Sequence, residues 1–504
     1  MKKSKVNINK SKVFYILLLW IFIFAVGLIS KTFQNDTFYT IKIGKLIMDN
    51  GIDMLDHFSF HSLLYTYPHW LYDVFIYLIY SFSGYTGIYI SSIIIFLILL
   101  YVVFKCSYKI TDSLSISTFV SIMCSLAVSG FVTARAQSIT FILFALEILF
   151  IEEFIKTNKK RYGIGLLVIS LIICNVHVAV WPFYYILFLP YIAEWFIGFV
   201  LKKVKKDNKF LKYLKNKFIV DDNINIKPLL IIIFLSLLTG LLTPIGDTPY
   251  TYLIKTMMGN SQKYIKEHQM ITLKDGIFAI VIVAETLFLA FFSKIKLRDL
   301  LLVLGISFMA FMSVRHLSLL AVIGSICFAR TFSIFTSGFN YDVDEYVFKF
   351  LSEKFVIIFS FVLVTAFSIF MLNYQNSKAF IDEELYPLKT TNYIKENIDY
   401  QNKHIFNEYT FGSYLLLNDI PVFIDSRADL YTKEFSGLSY DIFDDYMSIN
   451  KNNYEDIFTF YDIAYILTYK KEKLNSLLKY DKNYKKIYDD KYFILYERLS
   501  KNEE

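Results

Sequence analysis

The chain has 504 residues, 55% of them hydrophobic, and a formal net charge of +7. Its mean hydropathy is +0.45, and its apolar residues form long blocks, which excludes an ordinary soluble globular protein with about 45–50% apolar residues. A helix needs about 20 mostly apolar residues to cross a bilayer, so the blocks predict a polytopic α-helical membrane protein. The most apolar blocks are Ile16–Ile29, Ile93–Phe104, Ile164–Cys174, Leu229–Leu242, Ile277–Phe292, Leu300–Met312, Leu317–Phe328 and Val356–Leu372.

Lysine and arginine concentrate in alternate loops, and their excess marks the cytoplasmic side of a membrane. The basic residues 1–12 have no small-residue cleavage site after them, so we expect a retained first span with a cytoplasmic N-terminus. The most basic loop, residues 201–228, should lie on the same side and touch lipid rather than nucleic acid. The alternation predicts about 11 transmembrane helices. Six lie near 14–30, 85–104, 115–132, 139–155, 228–242 and 355–372. Two more flank a turn at 175–177, two flank a turn at 314–316, and one ends at Lys294.

The segment His69–Ser83 decides this count, because every later loop changes sides if it crosses the membrane. It contains Asp73 and has 15 residues, which is short for a full span. We therefore expect an interfacial or re-entrant helix, with Trp70 and Tyr77 at the membrane boundary. On this map all seven histidines lie on the outer side, which indicates a polar chamber there; they are His57, His61, His69, His177, His268, His316 and His404.

The tail from about residue 374 is richer in charge and predicts a small extracytoplasmic α/β domain, 374–504. Its expected strands are HIFNEY, PVFIDS, IAYILTY and KYFILYE, and its expected helices are 392–397, 454–461 and 474–480. Residues 1–373 should form the transmembrane domain, which also carries a first outer loop with surface helices, 31–84, and an outer loop, 243–275. The four cysteines lie in or beside apolar blocks and predict packing roles rather than disulfides or a zinc site; they are Cys106, Cys124, Cys174 and Cys327.

Asp36 is the most informative polar residue of the first outer loop. Apolar residues at helical spacing predict a surface helix over 36–50 that ends at Gly51. Asp36 then occupies the first turn. There it could serve simply as a helix cap, or as a functional carboxylate at the mouth of the membrane.

Several stretches resemble, in matching order, the GT-C type of membrane glycosyltransferase, in a bacterial branch with an extracytoplasmic C-terminal domain. They are NDTFYTIKIGKLIMDNGIDMLDHFSF…HWLYDVFIYLIY, RAQSITFILFALE, CNVHVAVWPF, LLTPIGDTPY, SVRHLSLLAV and FNEYTFGSYLLL…VFIDSRADLY. The resemblance implies a multi-pass enzyme of the bacterial plasma membrane. It implies inverting transfer of a sugar from a polyprenyl-phosphate donor to a glycan, lipid or protein acceptor of the envelope.

The resemblance also implies that Asp36 is the general base that takes the acceptor's proton. Many members have two adjacent acids at this point, whereas this chain has Asn35 before Asp36. The departure leaves the need for a divalent cation open.

Arg135, Arg315 and His316 lie at the outer ends of predicted spans, where a lipid phosphate would rest. Arginine suits bidentate phosphate contact, although each arginine could instead snorkel to the interface. Further candidates for substrate binding are Asp56, His57, His177, Glu267 and His268. For His177 a helix–helix hydrogen bond is the alternative, and for Glu267 and His268 a solvated loop. Asp425, Arg427 and Asp429 could bind sugar, but an internal salt bridge is favoured.

Three other functions stay open at this point. A ligase or polymerase of envelope polysaccharide would use a lipid-diphosphate donor and depend on Arg315 and His316 rather than on Asp36. A transporter is disfavoured because few charges lie at span centres, Glu147 and Glu285 excepted. The third is a non-catalytic scaffold that displays the C-terminal domain.

Overall fold

The computed structural model describes residues 8–203, 217–221, 224–272, 277–339 and 342–499, and most of them are helical. The first ten helices are α1 (Ile8–Gly27), α2 (Asn35–Asn50), α3 (Trp70–Thr111), α4 (Leu114–Val128), α5 (Gln137–Thr157), α6 (Lys160–Val176), α7 (Trp181–Lys203), α8 (Ile226–Leu238), α9 (Thr248–Met258) and α10 (Ser261–Tyr264). The next are α11 (Ile277–Phe292), α12 (Leu297–Met312), α13 (Leu317–Ser337), α14 (Val343–Leu351), α15 (Lys354–Asn376) and α16 (Leu388–Asn397). The last five, all short, are α17 (Gly412–Leu417), α18 (Lys433–Ser436), α19 (Ile442–Ser448), α20 (Tyr454–Phe460) and α21 (Lys473–Leu478).

Each of the eleven predicted spans coincides with a helix. Among the described residues, five helices are long and apolar enough to cross a membrane: Trp70–Thr111, Leu114–Phe131, Val178–Lys203, Val314–Ser337 and Lys354–Asn376. Shorter apolar helices are Ile16–Gly27, Ile226–Leu241 and Ala279–Phe292. The polytopic helical fold is thus confirmed, and the number of crossings stays a prediction. Most of the predicted basic loop 201–228 lies outside the described residues.

The chain forms two compact units, each discontinuous in sequence. The helical unit comprises Met1–Ser30, Tyr89–Leu242 and Lys266–Ser377, and the mixed unit comprises Lys31–Ile88, Thr243–Ile265 and Lys378–Glu504. This division differs from the predicted one, because the first outer loop and part of the second pack with the C-terminal segment. Backbone hydrogen bonds that link loop to tail, such as Val422 N to Phe58 O at 3.1 Å, account for the difference.

Helix α13 is the centre of the helical unit, since every residue from Leu317 to Thr331 is buried. A buried network of charges, which the sequence analysis did not anticipate, ties α5, α7, α12 and α13 together. Arg298 lies 2.8 Å from Glu152 and 3.0 Å from Glu194. Arg330 lies 2.8 Å from Glu152 and 2.9 Å from Asp299. Pairing in this way keeps buried charges from being left uncompensated.

The mixed unit contains a four-stranded sheet of order β3-β4-β6-β5, formed by β3 (His404–Asn407), β4 (Ile463–Tyr469), β5 (Tyr484–Asp489) and β6 (Phe493–Arg498). Strands β3 and β4 are parallel, and the other two pairings are antiparallel. The helical unit has one short parallel pair, β1 (Phe218–Ile219) and β2 (Ile295–Lys296). The predicted strand at 421–426 makes a single bridge, between Ser59 and Val422, and β5 was not predicted because its residues are mostly polar.

Helix α3 changes direction at Gly84, whose φ of 58° and ψ of −152° interrupt the helical backbone. The part before Gly84, in the mixed unit, exposes Leu71, Phe75, Leu78 and Phe82 along one face. An exposed apolar stripe at helical spacing is typical of a helix that lies in the membrane interface. The pattern supports the predicted interfacial placement of His69–Ser83, which stays a prediction.

Gly44 lets α2 and α3 approach closely, because a Cβ atom there would lie 2.1 Å from the carbonyl oxygen of Asp73. We therefore expect Gly44→Ala to force the two helices apart and destabilise the mixed unit by about 1–3 kcal/mol. The control is Gly305→Ala, since a Cβ there meets nothing within 4 Å. Thermal unfolding of the purified protein measures both, and equal melting temperatures for the two variants would contradict the packing argument.

Candidate functional site

Four predicted site residues meet in the helical unit, where they form what we call the arginine cluster: Arg135, Glu267, His268 and Arg315. Arg135 precedes α5, Glu267 and His268 lie in the turn Lys266–His268, and Arg315 lies in the turn between α12 and α13. Two hydrogen bonds join these last two turns, from Ser313 Oγ to Glu267 O (2.9 Å) and from Val314 N to Gln269 O (3.0 Å). Three loops far apart in sequence thus converge.

The cluster is electrostatically asymmetric. Arg135 Nη1 lies 2.9 Å from Glu267 Oε1, and Arg315 Nη1 lies 3.5 Å from His268 Nε2. Burial raises the pKa of Glu267, but Arg135, then Arg315 and His268, outweigh it and hold that pKa below its ordinary value. Within the described part of the chain, no carboxylate lies within salt-bridge distance of Arg315. Among the described residues of the cluster, two guanidinium groups accompany one carboxylate, an arrangement that suits an anion.

His316 follows Arg315 directly and is held by two contacts. Its Nδ1 lies 3.0 Å from the carbonyl oxygen of Met309, and its ring lies 5.1 Å from that of Phe183. Because a carbonyl can only accept, Nδ1 carries a proton in this arrangement, and the neutral ring keeps Nε2 as an acceptor. His316 is therefore oriented by the fold.

Asp36 lies in the mixed unit, in the first turn of α2, and is partly exposed. The residue at the N-cap is Gln34, so the alternative role of Asp36 as the N-cap residue does not apply. The positive end of the helix dipole still favours a carboxylate there. Burial and then the nearby Asp36 carboxylate raise the pKa of Tyr386, a neighbour that the sequence analysis did not single out. Asn35 donates from Nδ2 to Tyr409 O at 2.8 Å.

Asp56 belongs to a buried ion network instead of an open site. Arg427 Nη1 lies 2.7 Å from Asp56, and Arg427 Nη2 lies 2.6 Å from Asp425, with both carboxylates fully buried. Tyr431 donates to Asp425 at 2.6 Å, so the favoured internal salt bridge of Asp425 and Arg427 is present. The network leaves Asp56 no access to a substrate, which overturns the expectation that it binds one.

The remaining predicted residues lie in separate places. His57 pairs with Asp53 at 2.5 Å on the surface of the mixed unit. His177 is buried at the end of α6, and Asn175 donates to Leu171 O at 2.9 Å and to Leu242 O at 3.2 Å. Asp429 accepts from Tyr252 at 2.7 Å.

The histidines divide between the two units: His57, His61, His69 and His404 belong to the mixed unit, and His177, His268 and His316 to the helical unit. His61 and His404 pack around Phe60 in the mixed unit, with ring centroids 4.4 and 4.1 Å from it. Burial lowers the pKa of His61 to about 4, so the ring is neutral at physiological pH. These two histidines are partly buried and pack against aromatic rings.

A bound metal ion would need several ligating side chains close together. Among the described residues, no group of three or more histidine, cysteine, aspartate or glutamate side chains is placed to hold an ion. Asn35, where many relatives implied by the resemblance have a second acid, uses its amide on Tyr409. These residues provide no ready ligand set for a divalent cation.

No protein-family model matches the chain, and no curated protein matches it. Among solved structures, the oligosaccharyltransferase AglB of Archaeoglobus fulgidus, in complex with an inhibitory peptide and a dolichol-phosphate, is similar with a TM-score of 0.59 at 10% identity. The alignment covers 92% of this chain and 70% of that one. The same enzyme tethered to an acceptor peptide gives 0.58 at 11% identity, over 90% and 69% of the two chains.

The chain has the GT-C fold. The fold resemblance deduced from the motif order is thereby confirmed. A mycobacterial arabinofuranosyltransferase, AftD, is also similar, with a TM-score of 0.47 at 9% identity over 98% of this chain and 40% of that one; that score is too low to support an argument. At such identities the likeness concerns the GT-C fold alone.

Proposed function

We propose that this protein is a membrane glycosyltransferase, which moves a sugar from a polyprenyl-phosphate donor to a glycan, lipid or protein acceptor of the bacterial envelope. The observation that carries the proposal is the convergence of Arg135, Glu267, His268 and Arg315 from three separate loops. A partly exposed cluster with two arginines suits a lipid phosphate. The direct test is transfer of a labelled sugar from a polyprenyl phosphate by the purified protein.

In the proposed reaction the acceptor hydroxyl oxygen bonds to the anomeric carbon of the sugar, and the bond from that carbon to the phosphate oxygen breaks. The electron pair leaves with the lipid phosphate, and this single displacement inverts the anomeric configuration. Asp36 takes the hydroxyl proton. Arg315 and Arg135 bind the phosphate oxygens and stabilise the developing charge, while Glu267 and His268 orient the two guanidinium groups.

Arg315→Lys is expected to weaken donor binding more than it slows the chemical step. Lysine keeps the charge but loses the planar fork that binds two oxygens at once. Hydrogen bonds to charged groups contribute about 1.5–3 kcal/mol, so the donor KM should rise about 10- to 100-fold with a smaller change in kcat. The control is Arg161→Lys, an exposed arginine at the start of α6. An unchanged donor KM for Arg315→Lys would remove Arg315 from the phosphate site.

The proposal also requires the mixed unit to face the outside of the cell. A cysteine at Lys451, which is exposed in the C-terminal segment, should react with an impermeant maleimide in intact cells. A cysteine at Lys160, exposed at the start of α6, should react only after lysis. The four native cysteines are buried and give a silent background. The reverse labelling pattern would invert the topology and place the donor site on the cytoplasmic side.

A further inference from the structure

A groove in the mixed unit has no part in the proposed reaction. It has a volume of about 420 Å³, within the range of about 300–1,000 Å³ that holds small ligands. Helix α2, the first part of α3 and the segment around α17 form its walls. We call it the tyrosine groove, after its main lining residues Lys42, Lys45, Tyr77, Tyr80, Tyr85 and Tyr414.

Two lysines of α2 line the groove, and each is paired with an aspartate. Lys42 pairs with Asp419, whose side chain is 70% exposed, and Lys45 lies 2.8 Å from Asp49, whose side chain is 51% exposed. Ion pairs between exposed side chains contribute little to the stability of a fold. An incoming anion can therefore replace Asp49 at Lys45 with little loss of stability. At Lys42, whose own side chain is only 17% exposed, it would compete with the exposed Asp419.

Four tyrosines line the groove: Tyr77, Tyr80, Tyr85 and the largely buried Tyr414. Tyr80 and Tyr85 lie with ring centroids 5.1 Å apart, and Tyr414 packs beside them in the groove wall. Such rings combine an apolar surface with a hydrogen-bonding tip. This combination matches a sugar, which has apolar C–H faces and a rim of hydroxyl groups.

We infer that the tyrosine groove binds an acidic oligosaccharide, as the part of an acceptor chain that does not react. This rests on the proposed transferase function. Lys45 is nine residues beyond Asp36 on α2, which places it about 14 Å further along the axis and on the opposite face. The groove therefore holds a sugar chain at a distance from the proposed base.

A lipid tail fits the groove less well, because the apolar surface of this part of α3 lies elsewhere. Leu71, Phe75, Leu78 and Phe82 share one face of the helix, and at 100° per residue Tyr77 and Tyr80 lie on another. The bilayer would meet the first face. The second face, with lysines across from it, remains for a polar ligand.

The test is calorimetric binding of tetragalacturonate, an acidic tetrasaccharide, to the intact purified protein in detergent without donor. We expect binding that weakens with salt, with maltotetraose, its neutral counterpart, binding at least tenfold more weakly. The double variant Lys42→Gln/Lys45→Gln should raise the Kd about tenfold or more, since each charge-assisted hydrogen bond contributes about 1.5–3 kcal/mol. Tyr80→Leu should weaken binding of the same probe without changing its salt dependence.

The matched control is Lys389→Gln/Lys486→Gln, which removes two exposed lysines of the mixed unit that are also paired with acids. Its Kd should equal that of the wild type. Equal binding of the neutral sugar, absence of binding at millimolar concentration, an unchanged Kd in the groove variant, or displacement by phosphatidylglycerol vesicles or inorganic phosphate would each overturn the inference.

Oligosaccharide binding in the groove and sugar transfer can be tested separately, so that either proposal can fail while the other stands. Asp36→Asn should keep the wild-type Kd for tetragalacturonate, because Asp36 lies outside the groove. If the groove variant binds normally while Asp36→Asn loses transfer, the groove is wrong and the transferase stands. If Asp36→Asn transfers normally while the groove variant loses binding, the reaction as proposed is wrong and the groove stands.

Discussion

Asp36→Asn should reduce sugar transfer about 10²- to 10⁴-fold, the usual loss when a general base is removed. The fold should survive, because Gln34 is the N-cap residue of α2. Asparagine keeps the size of the side chain and one of its oxygens, and the lost interaction of a carboxylate with the helix dipole contributes about 0.3–1 kcal/mol. A fall in activity with an unchanged melting temperature therefore reports on chemistry.

The control for this variant is Asp456→Asn, which removes an exposed acid from the first turn of α20. It should leave both transfer and stability at wild-type values. If Asp36→Asn transfers sugar at the wild-type rate while His316→Ala is inactive, the glycosyltransferase reaction is wrong as proposed. A ligase or polymerase that uses a lipid-diphosphate donor would then explain the arginine cluster better.

Arg427→Met should destabilise the mixed unit by about 3–5 kcal/mol, because it leaves Asp56 and Asp425 buried without a counter-charge. The guanidinium also lies 5.0 Å from the ring centroid of Tyr65, a contact that methionine loses. The measurement is resistance of the mixed unit to limited proteolysis in the intact purified protein. The control is Arg498→Met, since Arg498 and Glu455 form a partly exposed pair at 3.0 Å, which contributes about 1 kcal/mol or less.

The pH dependence of protease resistance in this variant provides a second test of the buried ion network. Burial raises the pKa of Asp56, but Arg427 and the hydrogen bonds from Ser59 together outweigh it and hold that pKa below its ordinary value. In the wild type the resulting stability is present above the ordinary aspartate pKa and is lost as pH falls through the lower folded value. In Arg427→Met the hydrogen bonds from Ser59 remain, but the opposing charge is lost and burial raises the pKa of Asp56 relative to the wild type, so mild acid should partly restore protease resistance. Loss of resistance at the same rate in Arg427→Met and Arg498→Met would contradict the role of the network.

Hydropathy was sufficient to predict the apolar helices of the helical unit, because the bilayer imposes a long apolar run on each span. Local signals also predicted α2, which ends before Gly51 as expected. The composition of the mixed unit could not be predicted in this way. Its contacts join residues such as Asp56 and Arg427, 371 positions apart, and no local pattern encodes such a pairing.

The candidate site was predictable in part. Arg135 and Arg315 stand out because they end apolar blocks, and the structure brings Arg135, Arg315 and their neighbours Glu267 and His268 into one cluster. Asp56 was misjudged because a buried carboxylate and an exposed one look alike in sequence. Tyr386, beside Asp36, gave no signal at all. The catalytic role of Asp36 stays a prediction.

The pairing of Asp56 with Arg427 also determines when the mixed unit can complete its folding during synthesis. A ribosome adds about 5–20 residues per second, so the 371 positions between the two residues correspond to a delay of about 20–75 s. During that interval the first outer loop has been synthesised but lacks its counter-ion, and Asp56 must stay hydrated. The mixed unit can close only when translation is almost finished, and a chain that stops before Arg427 cannot close it.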